Sequence, residues 1–472
     1  MDNIVSLAQY DDVNTWGIQS MREVEELNKA LEAGHQRPPE SGGSALRVES
    51  LEGTLKVLTY TQKHFAFWAA IPKKPAYSTA EEFNQLSAYG GEAGAFMQEG
   101  EMPPTEDSTY ARQVELVKFL GTTRSVTHPM TLVRTMIGDV VAQENQNGIM
   151  WILRNMEWGL FNGDADMCYN GTASGSSHRE WVEFNGLESS IDSTNVVDLA
   201  GAPLQETDVS DATQLIASAY GIPTDIFLSF AAHKKFCDQY FGGQRFAMPS
   251  QDGYSVGINV RDVKTPFGNV RLNPDVFLNT GRVPLSSAAA SVASLVPTAP
   301  ATVASASMTG STGVWATHGG AATYDYAVSA ANRYGESTAT AMTAVTVTSS
   351  DLTKYIPITI TNASPLGIAP EYFNIYKTEP DGSTLYFVGR VRASSQAAGG
   401  TTTWNDTGLW MANTSKAYIG EMSEQVLAVK QLAPLMKMDL AVLAPAIRWM
   451  ILLYATMLLY APKKWVQFIN IG

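Results

Sequence analysis

Histidines, cysteines and a short acidic run are the residue types here best suited to hold a metal or move a proton, and their spacing argues against both. His35, His64, His128, His178, His233 and His318 are scattered, and none forms the His-Glu-x-x-His pattern that puts two ligands on one helical face. Cys168 and Cys237 are too few for a disulfide framework or a four-thiolate zinc site. Asp164-Ala165-Asp166 starts like a calcium loop. Tyr169, however, takes the sixth position that must be Gly, and Cys168 falls on a ligand position. Gly90, Gly91 and Gly94 lack both the dinucleotide-binding spacing and a following helix. No Gly-x-Ser-x-Gly elbow and no Walker-type loop occurs. The expectation is no catalytic residue, no metal and no cofactor. The glycine cluster reads as a bendable tip, flanked by Glu99, Glu101, Glu106 and Asp107. The basic pairs Lys73-Lys74 and Lys463-Lys464 stand out in an acidic chain and read as solvated, or as ion-pair partners between subunits.

Composition bounds what such a chain can be. Its 472 residues suggest about three domains. Hydrophobic residues at 45% and charged residues at 17% are globular values and exclude a disordered chain. Lys and Arg number 32 against 46 Asp and Glu, a net charge of −14, which excludes gripping nucleic acid by phosphate neutralisation. Contact with DNA as a repelling wall is compatible with that charge. The first residues show no basic region followed by an apolar run, so no secretory signal is expected. Residues 441–461 are long and apolar enough to imitate a membrane span. Pro445 and Arg448 inside that run point instead to one or two buried strands.

The elements that must position these residues fall into blocks. Met21, Val24, Leu27 and Leu31 recur at helical spacing before the breaker at 37–43, which describes a loosely joined N-terminal arm. Residues 75–123 read as a long two-stranded excursion with an acidic tip. It is marginal alone, so it must lean on something, and a neighbouring subunit is the obvious candidate. A helix is expected over 131–163, with Gly148 as a kink or divide and Gly163 as its end. Another helix is expected over 208–220, capped by Thr207 or Asp208. A strand at 225–230, a helix at 231–241 and strands at 258–263 and 269–272 complete a mixed α+β domain. From about Leu285 to Gly408, Ser, Ala, Thr, Gly and Val dominate, with short alternating runs such as Ile356, Ile358, Ile360. That pattern predicts a β-sandwich inserted into the other domain. Trp315, Trp404 and Trp410 within it are either core or a sugar-binding platform; core is the simpler reading.

Order and local motifs together resemble one family. Glu157-Trp158-Gly159-Leu160-Phe161-Asn162-Gly163-Asp164 looks like the end of a spine helix, and Phe184-Asn185-Gly186-Leu187 like the turn that enters an axial domain. Glu421-Met422-Ser423 with Ala461-Pro462-Lys463-Lys464-Trp465 is similar to the closing segment of capsid proteins from large contractile-tailed phages. The chain thus resembles tailed-bacteriophage major capsid proteins with the Hong Kong 97-type fold, in the subset carrying an immunoglobulin-like insertion. The resemblance implies an α+β fold with an N-terminal arm (1–47), and an extended loop (about 75–123) and peripheral domain with spine helix (about 131–163) within 48–185. It further implies an axial domain (186–285), an inserted immunoglobulin- or fibronectin-like sandwich (286–415) and a return to the axial and peripheral domains (416–472). It implies a structural subunit, not an enzyme, that assembles in the host cytoplasm into hexamers and pentamers of an icosahedral head around double-stranded DNA. Portal, scaffold or cement proteins would be partners, the insert would decorate the outer surface and could touch the host, and no membrane is involved. The interface candidates are Gly90, Gly91, Gly94, Glu99, Glu101, Lys73, Lys74, Lys463 and Lys464. Lysine-to-asparagine cross-linking, found in some members, is not carried over, because the loop tip holds no lysine. The alternative is an adhesion protein that binds surface glycans through the sandwich.

Overall fold

A computed structural model of the chain describes residues 59–91, 96–102, 105–133, 138–167, 183–241, 248–250, 253–255, 260–285, 295–441 and 444–472. The expected helix near residues 21–31, the N-terminal arm, Gly94, Cys168 and His178 lie outside them. The described part opens with a short helix, α1 (Ala66–Ala70), and strand β1 (Lys73–Pro75). The chain then runs through β2 (Ala80–Ala88), β3 (Thr109–Leu116) and β4 (Lys118–Thr127), then α2 (His128–Leu132) and the long α3 (Val140–Asn162). Next come α4 (Leu187–Ser190), β5 (Val196–Asp198), α5 (Glu206–Ser218), β6 (Asp225–Ser229) and α6 (Phe230–Phe241). The small pair β7 (Met248–Ser250) and β8 (Gly253–Ser255), then β9 (Asp262–Thr265) and β10 (Gly268–Asp275), complete the first half. After the insert, β21 (Ser415–Gly420), β22 (Leu427–Asp439), β23 (Ala446–Leu459) and β24 (Trp465–Ile471) close the body.

Two sheets form the body. One has the order β1-β22-β23-β4, and the other β5-β24-β21-β6-β10-β9. Helix α3 lies against the first sheet because Ile152, Met156 and Leu160 recur every four residues and bury completely beside Trp449, Ile451 and Leu453 of β23. The apolar run that imitated a membrane span is therefore β23, paired with β22 on one side and β4 on the other. No helix among the described residues is long and apolar enough to cross a membrane. The second sheet is packed by Val209, Ala212 and Ile216 of α5 and Phe236 of α6 against Ile226, Leu228, Val466 and Phe468.

Three local expectations change. The helix expected from residue 131 is two: α2 ends at Leu132, and α3 begins only at Val140, two residues after Gly138, whose φ of +83° is outside helical geometry. Gly148 does not kink α3; it lets the helix lie close to the sheet, where a Cβ would stand 2.5 Å from Ile451 Cδ1. Helix α5 is capped by Gln205, with Asp208 at the third position accepting from the Gln205 N–H at 2.8 Å.

Past β10 the chain passes through a 3-10 turn (Val276–Arg282) into a β-rich insert. Its strands are β11 (Thr302–Ser305), β12 (Thr323–Tyr324), β13 (Tyr326–Asn332), β14 (Gly335–Glu336), β15 (Thr340–Ala341), β16 (Val345–Thr346), β17 (Ile356–Thr361), β18 (Tyr372–Thr378), β19 (Leu385–Arg392) and β20 (Thr401–Asp406). A sheet β11-β17-β20 faces a larger one built on β14-β13-β18-β19. Ile356, Ile358 and Ile360 point inward between them, as their alternation requires. Trp315 is fully buried, and Trp404 and Trp410, half-buried, stack on each other at 5.0 Å and pack against the same core. The chain enters and leaves the insert side by side, with Gly281 pressed against the Thr414 carbonyl.

Candidate functional site

Strands β2 and β3 form an antiparallel hairpin that pairs Ala80 with Leu116 through Leu86 with Tyr110, then shifts register at a bulge before Ala88 meets Thr109. Its root is fastened to the body at several points. Lys430 Nζ lies 3.4 Å from Glu81 Oε2, the Phe83 ring meets Tyr460 edge-on at 5.0 Å, and Gln85 Nε2 donates to the Tyr460 carbonyl at 2.7 Å. Asn185 Nδ2 donates to Glu115 Oε1 at 3.2 Å, and burial pushes that carboxyl upward against the pull of this bond.

Beyond Gln85 no hydrogen bond or ion pair to the body is found among the described residues. Tyr89 is 87% exposed, Met102 90% and Phe96 wholly so, with Leu86, Met97 and Tyr110 also exposed. A two-stranded ribbon with no face buried is marginal in water, and an exposed apolar surface of this extent marks a place meant to be covered. The tip keeps its own order. The Gly91 N–H donates to Glu106 Oε2 at 2.7 Å, and Ser108 Oγ donates to the Tyr89 carbonyl at 3.3 Å. Glu99 and Glu101 sit in the tip turn, exposed. From Pro75 to Ala111 the chain holds no Lys or Arg but carries Glu81, Glu82, Glu92, Glu99, Glu101, Glu106 and Asp107. The hairpin therefore offers greasy side chains in an anionic frame.

Lys73, Lys74 and Lys464 find partners within the chain. Lys73 Nζ donates to the Trp68 carbonyl at 2.5 Å and lies 4.5 Å over the Trp68 ring, and burial lowers its pKa. Lys74 pairs with Glu424 at 3.4 Å and Lys464 with Glu421 at 3.5 Å. Lys463 is exposed.

The joint beneath the root contains two acids that the sequence reading missed. Glu157 of α3 is fully buried and accepts the Phe67 and Trp68 N–H groups, each at 2.8 Å, tying α1 to the long helix. Asp275 faces it, also fully buried, with Oδ1 accepting from the Phe277 N–H at 2.7 Å. Burial first, then the Asp275 charge, push Glu157 up to about 9, so the pair holds a proton at neutral pH. Burial raises Asp275 as well. The clue was visible: Glu157 interrupts an apolar stripe, one position after Met156 and four before Phe161. Its partner was not, because Asp275 comes from a distant strand end. Nearby, Gly163 and Gly186 interlock. The Gly186 N–H donates to the Gly163 carbonyl at 2.8 Å, and a Cβ on Gly186 would stand 2.6 Å from the Gly159 carbonyl.

Nothing in this arrangement brings a nucleophile, base and orienting group together, and the described residues hold no cluster of three metal-ligating side chains. Geometry of this kind serves contact. A family model described as SU10 major capsid protein matches residues 32–312. The putative major capsid protein of Enterococcus phage phiEF24C is 27% identical over 459 residues, covering 95% of each chain. The major capsid protein of Staphylococcus phage K is 25% identical over 457 residues, again covering 95% of each. Among solved structures, the capsid of the native GTA particle aligns with 92% of this chain and 99% of its own at 6% identity, with a TM-score of 0.47. That of Gordonia phage Cozz aligns with 92% and 98% at 8% identity, with a TM-score of 0.45.

Proposed function

Because the chain belongs to the SU10 major capsid protein family, we propose that its β2–β3 hairpin is the arm by which one subunit lies across the next. Its work is structural: copies assemble into the capsid of a phage virion. The observation that carries the hairpin reading is the exposure of Leu86, Tyr89, Phe96, Met97, Met102 and Tyr110 on a ribbon whose fastenings to the body, among the described residues, lie at its root. A second copy would cover them, and closing rings of six and five would multiply many weak contacts into a strong shell. Gly90 and Gly91 at the tip, with Gly94 beside them in the sequence, would absorb the difference between the two rings. In this reading double-stranded DNA lies inside against an acidic wall, the insert decorates the outside, assembly proceeds in the host cytoplasm, and portal, scaffold or cement proteins complete the head.

The test replaces residues 89–108 with a short Gly/Ser turn. The root contacts and both cores stay, so the subunit should keep its melting temperature yet sediment as a monomer, with no shells or rings by electron microscopy. Shells formed at wild-type yield would sink the hairpin reading while leaving the family assignment intact.

A further inference from the structure

We propose that the insert carries a subunit contact of its own, in which the open edge of β20 pairs antiparallel with β20 of a second copy and joins two inserts through one continuous sheet. In the sheet β11-β17-β20 only β17 is paired on both sides among the described residues. The phase of the pairing decides which backbone groups stay open. The Asn362 N–H donates to the Gly400 carbonyl at 2.9 Å, and Ile360, Ile358 and Ile356 stand opposite Thr402, Trp404 and Asp406. Those three residues of β20 therefore turn their N–H and carbonyl groups to β17. Thr401, Thr403 and Asn405 turn theirs outward, where no backbone hydrogen bond meets them among the described residues.

An exposed edge invites pairing, and chains blunt such edges with charge, proline or bulges. The two body sheets do so at every edge: β1 carries Lys73, Lys74 and Pro75, β4 carries Lys118 and Arg124, β5 Asp198, and β9 Asp262 and Lys264. In the insert's larger sheet β14 carries Glu336 and β19 carries Arg390 and Arg392. Strand β20 has none of these devices. It reads Thr-Thr-Thr-Trp-Asn-Asp and pairs with β17 without a register shift. Its one acid, Asp406, is buried and held by Lys377 at 2.8 Å. The opposite edge, β11, is shorter, and Thr340 Oγ1 reaches its lead-in at the Pro300 carbonyl, 2.7 Å away.

Charge and register both select a second copy as the occupant. The chain has a net charge of −14, so two copies meet most easily where neither brings charge. The β20 edge and the outer face beside it, where Thr359 and Thr361 stand opposite Thr403 and Thr401, are neutral. The strand is also complementary to itself. Two-fold pairing centred on Thr403 sets that residue opposite its own counterpart and Thr401 opposite Asn405. Each outward N–H then meets an outward carbonyl, and the exposed side chains form neutral polar pairs. Such a contact closes on itself and propagates no fibre. One strand pair buries far less than the roughly 1,200 Å² of a stable free-standing complex. It holds only where other contacts already set copies side by side, and in this it rests on the shell-subunit reading.

Disulfide trapping on assembled particles of the full chain tests the pairing and its register. Thr401→Cys combined with Asn405→Cys should give a covalent dimer under mild oxidation. Thr401→Cys alone, and the unsubstituted chain with its Cys168 and Cys237, should give less than about a tenth as much. Adding Thr403→Pro removes an outward N–H and spares the bonds to β17, so the insert should keep its thermal transition while the dimer falls about tenfold. Should that chain not fold, Thr403→Lys sets like charges opposite each other and should have the same effect. Particles that form at normal yield without the dimer would overturn the proposal and leave the shell reading standing. So would a dimer equally abundant with Thr401→Cys alone, or one undiminished by the folded Thr403 variant, or one trapped through Ala304→Cys on β11 in its stead. If no particles form, it is the shell reading that fails; trapping is then read on the concentrated soluble chain, where absence of the dimer overturns the pairing as well.

Discussion

Replacing Glu157 by Gln takes one titrating proton out of the core and one of two acceptors away from the α1 amides. The two effects have different pH signatures. Glu157 rises from 4.5 when free to about 9 in the fold. A group raised in this way gives its full stabilisation below the unfolded value and loses it as pH climbs towards the folded one. Each unit in that window costs about 1.4 kcal/mol, or about 4 kcal/mol between about pH 5 and 8. Asp275, raised in the same direction, adds to the slope. Gln cannot titrate, so the slope should shrink sharply. Gln keeps one acceptor oxygen for Phe67 or Trp68 and leaves the other amide unpaired, at about 1–3 kcal/mol regardless of pH. The stability curves should therefore cross near about pH 6, with the variant weaker in acid and stronger in base. Urea unfolding followed by tryptophan fluorescence, on subunits held too dilute to assemble, measures both curves; Trp449 and Trp465 are fully buried reporters. Parallel curves would refute the shared-proton reasoning.

Two further substitutions test the packing. Lys377→Met should destabilise the insert by about 3–5 kcal/mol, because Asp406, 1% exposed, would lose the ammonium 2.8 Å away that pairs with it. Adding Asp406→Leu should restore most of that loss in the insert's thermal transition. Gly186→Ala should cost roughly 3 kcal/mol or more, since the new Cβ meets the Gly159 carbonyl and the Gly163 nitrogen at 2.6 and 2.7 Å. A thermal-shift measurement on the soluble subunit reads it.

Patterns that live on one element were legible in the sequence. The alternation of Ile356, Ile358 and Ile360 gives an inward face, and the apolar run through Trp449 and Leu453 gives a buried strand once Arg448 argues against lipid. Relations between elements were not. Leu132 and Val140 keep helical spacing although one ends α2 and the other opens α3, and spacing carries no backbone angle such as that of Gly138. The basic pairs looked free because their acids, Glu421 and Glu424, stand hundreds of residues away from Lys74 and close to Lys464 only through the fold. Asp275 at the end of β10 gives no sign that it shares a proton with α3. The hairpin's exposure was half visible: the acids and glycines announce a tip, but only the coordinates separate its anchored root from its bare end.

The side-by-side passage of the chain at Gly281 and Thr414 makes the insert a cassette. A module whose two ends already touch puts no tension on the frame that carries it. The six-stranded sheet resumes at β21 as though the intervening residues were a short loop. Gain, loss or exchange of such a module is therefore topologically neutral, and a foreign domain with neighbouring termini could be grafted there. Every subunit would then carry it, and its identity could be chosen independently of the frame that holds it.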